Sequence, residues 1–168
     1  MGNASPSGEG HMTDTTTRAP LSPTAIAYCQ SQVRRLEGIL AELARAEARM
    51  RRALFVGAPI PEGWELVEDV ALARTGLDRL VRELRSSLQP SAVPFPPTAE
   101  RMYMVGFELR SHATVVGHLP ELLVELATSP DLLHACADAS RLGYALIPIS
   151  FALSQSAQLH PSREGDAS

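Results

Sequence analysis

Glu108 and His112 are the pair best suited to metal chemistry, because residues four positions apart share one face of a helix. A catalytic zinc site usually needs three protein ligands in fixed geometry. The sequence has no HExxH or CxxC pattern that would supply the others. We therefore expect an ion pair or hydrogen bond at this position, and no bound metal or cofactor.

Cys29 and Cys136 are the two candidate nucleophiles. Both fall on apolar stripes of predicted helices, where a cysteine usually acts as a small buried hydrophobe. The serines lack a nucleophile-elbow motif, and there is no glycine-rich phosphate loop. The sequence therefore favours a non-enzymatic protein, with no catalytic residue assigned.

Arg45, Arg49 and Arg52 form a basic face on the first predicted helix and are the candidates for contact with phosphate groups. All 15 basic residues of the chain are arginine, yet the net charge is −4. Dedicated nucleic-acid binders carry a basic surplus, and no helix-turn-helix pattern is present. We expect these arginines to pair with neighbouring glutamates and do not expect nucleic acid as a partner.

Four aromatic residues, Tyr103, Phe107, Tyr144 and Phe151, give the later helices a second apolar face. Three interpretations remain open. The third helix lies centrally and is buried on two sides, the second face is a homodimer interface, or the rings line a closed pocket for a small apolar ligand. The pocket interpretation requires a cavity of about 300 Å³ between the helices that carry the rings.

The elements that position these residues are all helical. Ser22-Pro23, Thr98 and Ser129-Pro130 are helix-start signals. On the first predicted helix, apolar residues alternate at spacings of three and four, which is the heptad seam of a coiled coil. A short loop joins this helix to the second, so the two are predicted to form a long antiparallel hairpin. The predicted helices span about 22–54, 61–88, 99–117 and 120–127, and a fifth begins at Ser129-Pro130 and continues through Leu153, with Pro148 expected to kink it.

The composition agrees with an all-α bundle of four to five helices opened by this hairpin. It is 45% apolar and 20% charged, with only 5% aromatic residues. We expect a disordered arm at 1–21, one domain at 22–156 and a disordered tail at 157–168. The sequence has no apolar run long enough for a membrane span and no secretory signal, so we expect a cytoplasmic protein.

The helix start at Pro59-Ile60-Pro61-Glu62, followed by the Arg101-Met102 helix and the helix over 129–153, resembles a group of small all-helical actinobacterial proteins. That group is associated with natural-product biosynthesis through the location of its genes. The resemblance covers about residues 36–155. The resemblance implies a link to specialised metabolism and assigns no catalytic residue.

Two functions follow as hypotheses. The first is a non-enzymatic helical interaction or regulatory protein that forms a homodimer or binds another protein. The alternative is a small apolar-ligand binder, or minor enzyme of a natural-product pathway. Ten of the 15 arginines lie on the hairpin, so a site is expected where this charged hairpin meets the apolar C-terminal half.

Overall fold

The fold is an all-α bundle of antiparallel helices. The computed structural model describes residues 20–57, 61–89, 97–118 and 129–159. Within these ranges the helices are α1 (Pro23–Val56), α2 (Pro61–Ser87), α3 (Ala99–Gly117) and α4 (Pro130–Leu159). The all-α prediction is confirmed. The short helix predicted at 120–127 lies outside the described residues. So do residues 1–19 of the predicted arm and residues 160–168 of the predicted tail.

Each helix packs mainly against two neighbours, in the order α1, α2, α3, α4 and back to α1. All four neighbouring pairs are antiparallel, so the hairpin of α1 and α2 is closed into a bundle by α3 and α4. Two contacts at different levels fix each direction: Glu37–Arg85 with Glu47–Arg74, Glu83–Arg101 with Glu108–Arg79, Gly117–Ser140 with Gly106–Ser150, and Arg49–Asp138 with Cys29–Ser156.

The helix starts follow from their capping residues. The Ser22 hydroxyl accepts a hydrogen bond from the Ala25 amide, and the Thr98 hydroxyl accepts one from Arg101. These bonds satisfy amides that have no partner within the helix. The Leu21 amide donates to the Pro97 carbonyl, and the Leu21 side chain is buried. The packed domain therefore begins no later than Leu21.

The predicted apolar stripes form the core. Every residue of the stripes predicted for the second and third helices is buried: Leu66, Val70, Ala73, Leu77, Leu80, Leu84 and Leu88, and Met102, Val105, Leu109, Ala113 and Val116. Glu47 interrupts the stripe of α1, and its carboxylate accepts from Arg74 Nε of α2 at 2.6 Å and Arg51 Nε at 3.0 Å. Because both bonds are charge-assisted, an acid can occupy a core position between α1 and α2.

The contact between α3 and α4 depends on glycine. A Cβ placed on Gly143 would lie 2.6 Å from the Gly117 amide nitrogen and 3.1 Å from the Ala113 carbonyl oxygen. A Cβ on Gly106 would lie 2.5 Å from the Ser150 carbonyl oxygen. The two backbones therefore approach more closely than helices with side chains at these positions can.

Candidate functional site

The Glu108–His112 pair packs between α3 and α2. The Glu108 carboxylate accepts from Arg79 at 2.5 Å, as expected for an ion pair. The His112 ring lies against Gly76, where a Cβ would come within 2.4 Å of Cε1. No group of three or more His, Cys, Asp or Glu side chains within the described residues is arranged to hold a metal ion.

His112 is held neutral by its surroundings. Burial lowers its pKa, and the Arg79 charge lowers it further against the opposing effect of Glu108. Its Nε2 is buried and has no hydrogen-bond partner within the described part of the chain. Protonation would add a charge at a site without an acceptor, so this histidine contributes packing between α2 and α3.

The two cysteines are buried, as the apolar stripes predict. Burial raises the pKa of Cys29 against a smaller opposing effect of its hydrogen bond with Ser156. Burial raises the pKa of Cys136 to about 12. Both groups remain thiols at neutral pH, and the thiolate is the reactive form.

The three arginines of the predicted basic face have different neighbours. Arg45 pairs with Glu42 on its own helix, as expected. Arg49 reaches across to Asp138 of α4 at 2.5 Å. Arg52 forms none of the ion pairs between described residues, and it lines a cleft between α1 and α4. The three arginines therefore do not form one continuous unpaired surface.

That cleft has a volume of about 490 Å³. It lies where the charged hairpin meets the C-terminal half, between the last turns of α1 and the first turns of α4. Its walls combine charged and small apolar side chains. The lining residues are Arg49, Arg52, Ala53, Val56, Asp131, His134 and Ala135.

The four aromatic candidates lie on the surface. Tyr103, Phe107, Tyr144 and Phe151 are between 45% and 58% exposed. Among the described residues, therefore, no helix covers the second apolar face of α3. Within the described residues the rings do not line a closed pocket between α3 and α4, because they point outward and glycine contacts bring the two backbones together.

These four rings form one surface, which we call the aromatic face. The Arg110 guanidinium carbon of α3 lies 4.6 Å from the centre of the Phe151 ring of α4. A Cβ on Gly117 of α3 would lie 3.7 Å from the Tyr144 ring. The rings of α4 thus lie directly beside α3, and the exposed Met104 and Val115 continue the surface on α3.

Arg110 is the charged residue that packs on a ring of this face, and its position was not predicted from the sequence. Its guanidinium packs on an aromatic ring, while its Nε is buried without a hydrogen-bond partner among the described residues. The sequence signal was its spacing, since Tyr103, Phe107 and Arg110 follow one another at four and three residues. Gly106 was also missed as a contact between helices, whereas Gly143 lies on the apolar stripe predicted for the last helix.

None of the described helices is long and apolar enough to cross a membrane. Comparison of the chain with protein-family models, curated proteins and solved structures finds no match in any of the three. The aromatic face and the α1–α4 cleft are therefore the two candidate sites of function.

Proposed function

We propose that this chain is a non-enzymatic helical interaction protein that pairs with a second copy through its aromatic face. The observation that carries the proposal is the exposure of four aromatic rings on one side of α3 and α4. Large exposed apolar patches on soluble proteins usually mark interaction sites, because water contact with apolar surface is unfavourable.

The size of the face supports an interface. An aromatic side chain has roughly 200 Å² of surface, so four half-exposed rings present about 400 Å². The flanking Met104 and Val115, both also about half exposed, add to this area. A stable interface buries about 800 Å² per partner. The aromatic face would then form the apolar centre of such an interface, with the polar surface around it as the rim.

The charge pattern supports a second copy as the partner. The segment Leu142–Leu159 of α4 has no charged residue, whereas the outer surfaces of α1 and α2 are covered with arginines and acids. Arg110 is the cation that packs among the rings, and a centre with so little charge can meet its own copy with little repulsion. A binding role does not require the two cysteines to be accessible, and both are buried. It also does not require a free Glu108 carboxylate, which is paired with Arg79. The two free thiols suit a reducing compartment, so we place the protein in the cytoplasm.

The test compares two phenylalanines by sedimentation velocity. Phe107 lies in the aromatic face, and Phe55 is 84% exposed near the end of α1. We expect F107A to weaken the dimer about 30-fold or more, as loss of a central aromatic residue does. F55A should leave it within about twofold. Equal effects of both substitutions, or a wild-type monomer, would overturn the proposal.

The α1–α4 cleft favours a second candidate function, the binding of a small amphipathic anion. Its volume falls within the range of small-molecule sites. Arg52 would meet the anionic group, and Ala53 and Val56 would contact the apolar part. Calorimetry with decanoate should show one site per chain that R52Q weakens and R82Q, on exposed α2 surface, does not. Equal binding by both variants would exclude this site.

A further inference from the structure

The α1–α4 cleft contains one charged residue of each sign that has no partner among the described residues. Arg52 lines its α1 wall and Asp131 lines its α4 wall. We infer that the cleft binds an α-amino acid with an apolar side chain, whose carboxylate meets Arg52 and whose ammonium group meets Asp131. The inference rests on the anion site proposed for this cleft and adds a second charged contact to it.

The other charge that lines the cleft is already balanced. Arg49 donates to the Asp138 carboxylate at 2.5 Å, and this pair joins α1 to α4 at one end of the cleft. His134 is the remaining titratable lining residue. With histidine counted as neutral, the cleft therefore presents one free cation and one free anion to a ligand.

The Arg49–Asp138 pair also fixes the levels of the two free charges along the bundle. Because α1 and α4 are antiparallel, Arg52 is level with Ala135, three residues from Asp138. Asp131 lies four residues beyond that level. With a rise of 1.5 Å per residue, the backbone levels of Arg52 and Asp131 differ by about 6 Å. The two side chains therefore lie on opposite walls and at different levels, with space for a small group between them.

This charge arrangement favours a zwitterion over a simple ion. A ligand with only a carboxylate would pair with Arg52 but would also face the like charge of Asp131, and like charges repel. A ligand with only an amine would face the opposite conflict. An α-amino acid carries its carboxylate and its ammonium group on neighbouring carbons, so it can make a charge-assisted hydrogen bond to each wall.

The apolar lining selects the side chain of the amino acid. Ala53 and Val56 of α1 and Ala135 of α4 provide the apolar surface of the cleft. The cleft volume of about 490 Å³ leaves space beside the two charged contacts for an aliphatic group. Leucine should therefore bind more tightly than alanine, because it buries more apolar surface.

Calorimetry with leucine and isocaproate tests the second charged contact, because isocaproate has the carbon skeleton of leucine without the amine. The wild type should bind leucine about fivefold more tightly than isocaproate, the upper value for an exposed ion pair. D131N should remove this difference. It should weaken leucine binding while isocaproate binds at least as tightly as before, since a repulsive carboxylate is gone.

Two further variants complete the comparison. R52Q should weaken both ligands, because both carry the carboxylate. D69N is the matched control for D131N, since Asp69 is exposed on α2 away from the cleft, and it should leave both ligands within about twofold of the wild type. Continued binding of isocaproate by D131N shows that the cleft is intact in that variant.

The outcomes separate this inference from the anion site on which it rests. If decanoate binds through Arg52 but leucine binds no more tightly than isocaproate, the zwitterion is overturned and the anion site stands. If D131N weakens leucine and isocaproate alike, Asp131 does not contact the ammonium group, and the inference is again overturned. If neither decanoate nor leucine binds the wild type, the anion site itself is lost.

Discussion

Gly143→Ala tests the close approach of α3 and α4, which holds the aromatic rings on the outside of the bundle. The added methyl carbon would lie 2.6 Å from the Gly117 amide nitrogen, 3.0 Å from the Val116 carbonyl carbon and 3.1 Å from the Ala113 carbonyl oxygen. All three are backbone atoms, so no side-chain rotation can relieve the contact. The two helices must therefore move apart.

The expected magnitude combines two opposing effects. Replacing glycine by alanine inside a helix stabilises it by about 1 kcal/mol. Overfilling a packed contact costs about 1–3 kcal/mol, and backbone clashes favour the upper end. We expect the free energy of unfolding of G143A to fall by about 2 kcal/mol. The exposed Gly38 of α1 has no atom within 4 Å of its Cβ position, so G38A should gain about 1 kcal/mol.

Urea unfolding of the wild type, G143A and G38A measures both values. The slope of the free energy against urea concentration should be unchanged, so that midpoints report stability. The reasoning is refuted if G143A is as stable as G38A, because the α3–α4 backbones would then have room for a methyl group.

Three further predictions concern buried polar groups. Because burial lowers the pKa of His112, the unfolded chain takes up a proton below about pH 6.5 more readily than the native chain. The free energy of unfolding should therefore fall as pH drops below that value, and less steeply in His112→Gln; parallel pH profiles would contradict this. Glu47→Gln should cost about 2 kcal/mol in urea unfolding, against at most about 0.5 kcal/mol for the exposed Glu42→Gln. Cys29 and Cys136 should resist a thiol reagent in the native chain and react once it is unfolded; rapid labelling of the native chain would show that their burial is not maintained.

The sequence predicted the helices and their inward faces well. The third helix was predicted at 99–117 and is observed there, and the stripe from Met102 to Val116 is buried as expected. Helical periodicity and capping are local properties, so they can be recognised in one sequence. Leu159 ends the last helix a few residues beyond its predicted end, where helix boundaries are least sharply encoded.

The outward aromatic face could not be predicted in the same way. Periodicity shows that α3 has two apolar faces, but it does not show which face meets the rest of the chain. That depends on which helices neighbour α3, and the close contacts at Gly106 and Gly143 depend on residues far apart in sequence. Glu47 presents a similar case, because its partner Arg74 lies on the next helix.

Light scattering of the wild-type chain across the micromolar range tests the central claim most directly. The proposed self-association predicts a mass that approaches twice the 18.1 kDa of one chain as concentration rises. It also predicts that F107A remains near one chain mass where the wild type is dimeric. A wild-type mass of one chain throughout this range would contradict the account.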